Sequence, residues 1–301
     1  HSTVLRDTIA SVHGLDPARV ICGNGSDDIL TLVANAYLQP GDEAIYSKHG
    51  FSLYPLLIQS TGATPVVAEE TNFKTDVDAI LGSVTDKTRV VYIANPNNPT
   101  GTYLNRREIK RLHDGLPANV VLVLDGAYAE FATPGDYESG LALAKQCANV
   151  VATRTFSKIY GLANLRVGWG YMSTEIADVM NRLRAPFNVN GIAQEVAATA
   201  MRDISFIARA VVFNDTWREY LEAEIAALGL TVTPSIANFV LIHFPDEPGK
   251  TAADADAFLQ QRGLILRRLE SYHLPQCLRL TVGTEAANKK VVQALADFMK
   301  T

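Results

Sequence analysis

With 301 residues, 48% of them hydrophobic and 20% charged, the chain exceeds one ordinary domain and can bury a large core. Its net charge of -5 gives no electrostatic reason to expect a nucleic acid or an anionic membrane as partner. No apolar run approaches the roughly 18 residues of a membrane helix, no signal peptide is predicted, and three widely spaced cysteines (Cys22, Cys147, Cys277) fit reduced thiols of a cytoplasmic enzyme better than a disulfide framework or a zinc site.

Residues 1–13 read as a helix, with Val4, Leu5, Thr8 and Ile9 at helical spacing. That helix is already under way at His1 with no initiator methionine, which predicts that an N-terminal segment is absent. Residues 18–22 read as a short strand entering the turn Gly23-Asn24-Gly25-Ser26-Asp27-Asp28, after which Ile29, Leu30, Leu32, Val33 and Ala36 mark a helix. The turn places free N–H groups and the Ser26 hydroxyl at a helix N-terminus, where phosphate binds. An ordinary N-cap formed by Ser26 or Asp27 uses the same residues equally well. A strand to Tyr46 and a helix that brings Phe51 and Tyr54 near its start come next, and an aromatic at Phe51 is also what a simple core position would carry.

The apolar run 90–96 predicts a strand leading into Asn95-Pro96-Asn97-Asn98-Pro99-Thr100-Gly101, whose prolines and glycine impose irregular backbone. Asn105 and Glu108 then form a capping-box pattern for a helix that stops at Gly115. Residues 119–124 are almost wholly apolar, as in a buried parallel strand, and Asp125 follows at the carboxyl end, where α/β sheets keep their ligands. A carboxylate buried there needs a partner, although a helix cap or turn would use an aspartate too. Tyr128 lies three residues on.

Residues 149–156 and 165–172 predict two buried strands, and the polar connection 157–164 between them carries Lys158. An exposed lysine, with a pKa of about 10.4, is no nucleophile at neutral pH; desolvation, a neighbouring cation or a cofactor aldehyde makes it one. Thr155, Ser157 and Arg166 around it are hydroxyl and guanidinium groups suited to a phosphate dianion. Helices over 188–203 and 205–228, the second closed by Gly229, lead to a smaller unit that reads strand (231–244), helix (252–262), strand (263–269), strand (277–283), helix (285–300). Arg279 sits inside an apolar strand of that unit, a place where an arginine needs an anionic partner.

An amine for an aldehyde, donors for a phosphate and a carboxylate for a ring nitrogen are together the requirements of pyridoxal 5'-phosphate. Ser157-Lys158 followed by Gly161-Leu162-Ala163-Asn164-Leu165-Arg166-Val167-Gly168 resembles the lysine segment of the fold-type I aminotransferases, and is most similar to the histidinol-phosphate aminotransferase family. The segment from Cys277 to Asn288 resembles the same family. The resemblance covers essentially the whole chain and implies an α/β fold of the fold-type I class, with a large domain (1–206) around a mostly parallel sheet flanked by helices and a smaller C-terminal α/β domain (207–301).

The same resemblance implies the roles. Lys158 binds the coenzyme and serves as base, Asp125 takes the ring nitrogen, Phe51 stacks on the ring, and Asn98 and Tyr128 reach its O3' oxygen, with the Asn98-Pro99 bond cis. Ser26, Thr155, Ser157 and Arg166 hold the phosphate, and Gly25 and Asp27 belong to the same coenzyme site. Arg279 takes the α-carboxylate of glutamate and Arg267 the phosphate of histidinol phosphate, within a homodimer. The family's Asn-Glu-Asn-Pro segment and its closing tyrosine are not in this chain. Rivals on the same fold are an aromatic amino-acid aminotransferase and a threonine-phosphate decarboxylase. A nucleotide-binding or dehydrogenase domain is disfavoured because the glycine turn lacks the third glycine of the dinucleotide pattern. A non-catalytic α/β protein would leave Lys158, Asp125 and Arg279 as accidents.

Overall fold

A computed structural model of the chain describes residues 2–300. Thirteen strands occur among those residues. They are β1 (Val20–Gly23), β2 (Glu43–Ser47), β3 (Thr64–Ala68), a small hairpin of β4 (Glu70–Thr71) and β5 (Lys74–Thr75), β6 (Thr88–Ala94), β7 (Val121–Asp125), β8 (Val150–Thr155), β9 (Gly168–Tyr171), β10 (Thr231–Thr233), β11 (Phe239–His243), β12 (Arg267–Arg268) and β13 (Cys277–Thr281). The helices are α1 (Thr3–His13), α2 (Ser26–Tyr37), α3 (Leu53–Ser60), α4 (Val77–Gly82), α5 (Arg106–Gly115), α6 (Leu141–Gln146), α7 (Thr174–Leu183), α8 (Gly191–Arg202), α9 (Ile204–Ala227), α10 (Ala252–Gln260) and α11 (Glu285–Lys300).

Seven strands form the central sheet in the order β1-β9-β8-β7-β6-β2-β3. Neighbours from β8 through β3 are parallel, and β9 alone runs against them, antiparallel to both β8 and β1. The central β6 and β7 are buried on both faces and have no polar side to present, which is why residues 90–94 and 121–124 read as unbroken apolar runs. The two-residue period then sorts them: Val91, Ile93, Leu122 and Leu124 join one core, and Val90, Tyr92, Val121 and Val123 the other.

The second sheet, β10-β11-β13-β12, is antiparallel throughout. Val240, Ile242, Leu278 and Leu280 pack on one of its faces with α10, α11 and the last turns of α9. Helix α9 is shared between the two bodies. Its Ile207, Ala210 and Val211 pack on the large core, whereas Leu221 and Ile225 are buried in the small one.

Several predicted boundaries differ from those observed. The run 231–244 is two strands, because the segment between them turns against the large body: the N–H of Ile236 donates to the Gly101 carbonyl at 3.0 Å, and a Cβ on Gly101 would lie 2.2 Å from Ser235 Oγ. Only Arg267 and Arg268 of the run 263–269 are in a strand. The second strand beside the lysine connection starts at Gly168, since residues 163–165 form a 3-10 turn. Strand β3, the hairpin and helices α4 and α6 were not expected, being short or carrying polar positions that blur their period; α7 was not expected either, although its buried Ile176, Ala177 and Met180 keep helical spacing behind a Ser173 N-cap. The capping box on α5 is present with both of its hydrogen bonds.

Candidate active site

Strands β6, β7 and β8 end side by side at Ala94, Asp125 and Thr155, all three of which line a cavity of about 210 Å³ at the carboxyl edge of the sheet. Backbone that leaves a parallel sheet at this edge is free of ladder constraints, and side chains from distant segments meet there.

Asp125 is 4% exposed. Thr153, its partner in register on β8, donates its hydroxyl to Oδ1 at 2.9 Å, and Tyr54 from α3 donates its phenol to Oδ2 at 3.0 Å. Burial pushes the carboxyl above its usual range, while the Thr153 and Tyr54 hydrogen bonds pull it back. Phe51, half-buried just ahead of α3, stands edge-on to Tyr54 with ring centroids 5.8 Å apart. Both aromatics therefore come from one short segment.

On the opposite wall, Lys158 is exposed into the cavity and its Nζ lies 5.2 Å above the Tyr128 ring. At the mouth, Arg166 takes a left-handed backbone (φ 51°), which turns its guanidinium back over the α2 N-terminus. It donates to Ser157 Oγ at 3.2 Å, to the Ala163 carbonyl at 2.9 Å and to Asp27 Oδ2 at 3.4 Å. Gly25 holds φ 84° and ψ 172°, a backbone that residues with a Cβ rarely adopt, and it lies close under Arg166 Nη2, 2.6 Å from where a Cβ would be. No side chain caps α2 at Gly25, so the first-turn N–H groups of Ser26 and Asp27 face the same corner as the Ser157 and Arg166 groups.

Asn98 follows the cis Asn95-Pro96 bond and precedes the cis Asn98-Pro99 bond. Its Oδ1 accepts from Arg279 Nη1, which leaves the amide nitrogen to donate toward the cavity. Arg279 stacks over Phe239, with its guanidinium carbon 4.9 Å from the ring centroid. Its Nε is buried without a partner.

Ten of the expected site residues thus line one cavity: Ser26, Asp27, Phe51, Asn98, Asp125, Tyr128, Thr155, Ser157, Lys158 and Arg166. Gly25 adjoins through Arg166, and Arg279 through Asn98. Arg267 is exposed and outside this lining, but stands directly opposite Arg279 in the β12–β13 ladder, so both side chains share a face. Like charges placed so repel unless an anion joins them.

The chain matches the family described as aminotransferase class I and II over residues 1–295. It belongs to that family. Histidinol-phosphate aminotransferase of Rhodopseudomonas palustris (strain BisB18) is 55% identical over 298 residues, covering 99% of this chain and 82% of the relative. The protein of the same name from Maricaulis maris (strain MCS10) is 52% identical over 299 residues, with 99% and 83% covered. Among solved structures, histidinol-phosphate aminotransferase from Sinorhizobium meliloti in complex with pyridoxal-5'-phosphate superposes with a TM-score of 0.93 at 25% identity, covering 99% of this chain and 81% of that one.

Two contacts of this aminotransferase site were not singled out from sequence: Tyr54 and Thr153, the donors to Asp125. A signal for Thr153 existed, since a hydroxyl within a buried strand two residues before Thr155 shares its face. Nothing local in the sequence distinguished Tyr54 from a core aromatic.

Proposed function

We propose that this aminotransferase is pyridoxal 5'-phosphate dependent and transfers an amino group between histidinol phosphate and 2-oxoglutarate, with glutamate as the other product or donor. The observation that carries the reading is the convergence of the Lys158 amine, the Asp125 carboxylate, the Phe51 ring and the Ser26, Ser157 and Arg166 donors on one cavity. The residues fit the coenzyme. A cationic and hydroxyl-lined corner suits its phosphate, and a buried carboxylate with acceptor capacity left over suits its ring nitrogen. The name borne by relatives 52–55% identical supports the choice of substrate.

When bound, the coenzyme supplies an aldehyde for amines and a ring that takes up the electron pair left when an adjoining carbon loses its proton. The chain's own residues do the rest. Arg166, Ser157, Ser26 and the N–H groups of the first turn of α2 bind the phosphate. Phe51 would cover one face of the ring, and the Asn98 amide and the Tyr128 phenol would address its O3' oxygen. With the coenzyme bound, Lys158 Nζ would take the proton from the substrate carbon that bears the amine and deliver it to the coenzyme's former aldehyde carbon, so that the amine stays with the coenzyme. Arg279 binds the glutamate carboxylate, and the adjacent Arg267 binds the phosphate of histidinol phosphate.

A division into a large and a small unit that share α9, assembly as a homodimer and a cytoplasmic location belong to the same proposal. Among the described residues no helix is long and apolar enough to cross a membrane. The exposed Phe187 and Ile192, 94% and 73% accessible in the single chain, fit a face that a second copy covers.

Borohydride reduction of purified protein followed by peptide mapping tests the coenzyme assignment, with label expected on Lys158; label on any other residue rejects it. Steady-state assays with histidinol phosphate, phenylalanine and threonine phosphate test the substrate. The first should give the highest kcat/KM by a wide margin.

A further inference from the structure

Asp125 is the one carboxylate aimed at the place assigned to the ring nitrogen, and its surroundings work against its charge. It is 4% exposed, the nearby Asp27 carboxylate opposes its ionisation, and no cation counts among the main influences on it. Hydrogen bonds to the charged form are then the remaining means of keeping it ionised. The Ala127 backbone N–H supplies one, and two side chains supply the larger ones, Thr153 on Oδ1 and Tyr54 on Oδ2.

The two side-chain donors differ in kind. Thr153 is held by strand register, and its short side chain serves Asp125 because β7 and β8 pair there. Tyr54 reaches Asp125 from a separate element, α3, and is immobilised by packing: it is fully buried, stacks on Tyr92 with centroids 5.2 Å apart, and meets Phe51 edge-on. Burial, followed by the Asp125 charge, raises the Tyr54 hydroxyl well above its usual range, so it remains a neutral donor. Of the four lone-pair sites on the carboxylate, the Thr153, Tyr54 and Ala127 donors leave one for a donor from the cavity.

We propose that Tyr54 is a positioning residue for the reaction: its hydroxyl on Oδ2 holds the Asp125 carboxylate charged and oriented for the coenzyme's ring nitrogen. The inference rests on the coenzyme reading above. It also gives α3 a double task, since the segment that presents Phe51 to the ring's face sets the charge facing its edge.

The test uses holoprotein loaded with coenzyme labelled with ¹⁵N at the ring nitrogen, followed by NMR across pH. In the native protein the nitrogen stays protonated. In Tyr54→Phe it should lose its proton about one pH unit or more lower, and the coenzyme should dissociate about tenfold to a hundredfold more readily, as for a lost hydrogen bond to a charged group. Tyr92→Phe removes a hydroxyl one ring away, whose contact is the Leu30 carbonyl at 3.5 Å, and should leave the nitrogen's titration in place. A purely structural Tyr54 would lower the melting temperature of Tyr54→Phe and leave the nitrogen's titration where it is.

Should Tyr54→Phe not fold, 3-fluorotyrosine at position 54, a stronger donor, should raise the pH at which the nitrogen deprotonates. A protonated native nitrogen that neither Tyr54 substitution moves overturns this inference and leaves the coenzyme assignment standing. A native protein that takes up no coenzyme overturns the assignment itself, and the inference with it.

Discussion

At the scale of single residues, the site depends on groups whose chemistry cannot be exchanged for a near equivalent. Arg279 is an example, because its planar fork can serve Asn98 with one nitrogen and an incoming carboxylate with others, whereas a lysine offers one point charge. Arg279→Lys should raise KM for glutamate by about tenfold or more, the worth of a hydrogen bond to a charged group. KM for histidinol phosphate, which has no carboxylate, should change far less. Equal losses for both substrates in steady-state kinetics would assign Arg279 to structure alone. Lys158→Ala removes both the attachment point and the base, and turnover should fall by on the order of 10²–10⁴-fold even with coenzyme in excess.

Elements matter through how closely their backbones approach. The N-terminus of α2 rests on β9, and a Cβ added to Gly168 would lie 2.3 Å from the backbone nitrogen of Ser26 and 2.5 Å from the carbonyl carbon of Gly25. Backbone atoms cannot swing aside as a side-chain tip does. Gly168→Ala should therefore push the phosphate corner away from the Arg166 wall, destabilising the fold by about 1–3 kcal/mol as overpacking does and weakening coenzyme binding. Chemical denaturation of apoprotein and equilibrium dialysis of coenzyme would read the two effects separately. Unchanged dialysis would show that the turn at Gly25 adjusts without consequence.

The molecule as a whole carries an acid sensitivity at the end of its first helix. His13, at the end of α1, packs against Trp169 with ring centroids 5.3 Å apart. Burial, then the Arg154 and Lys145 charges, lowers its pKa from 6.5 to about 4. The folded chain thus keeps it neutral where the unfolded chain binds a proton, and stability is lost as pH falls from about 6.5 to about 4, by roughly 3 kcal/mol in all.

Glu130 acts in the other direction. Burial raises it from 4.5 to about 6 against the pull of Arg154, so the folded chain binds its proton first, and stability grows by about 2 kcal/mol as pH falls from 6 to 4.5. The two slopes nearly cancel within that window. A His13→Asn variant loses one of them, and its stability relative to the native protein should rise by roughly 3 kcal/mol between pH 6.5 and pH 4 in denaturant titrations. A constant difference across that range would place His13 in an environment open to water.

Lys158, Asp125 and the glycine turn before α2 were legible in the sequence because each is written in a local pattern. A lysine between two apolar runs, a carboxylate closing a third and glycines opening a helix are signals whose spacing is set by strand and helix periods within one segment. The parallel sheet was legible for the same reason, since strands buried on both faces leave no polar alternation. Tertiary structure alone decided the pairing of Tyr54 with Asp125 across 71 residues, that of Asn98 with Arg279 across 181, and the reversal of β9. Such contacts are made by side chains whose own neighbours along the chain carry no trace of the partner. They are specified by how the sheet stacks distant segments at its edge, and that is settled only when the whole core closes.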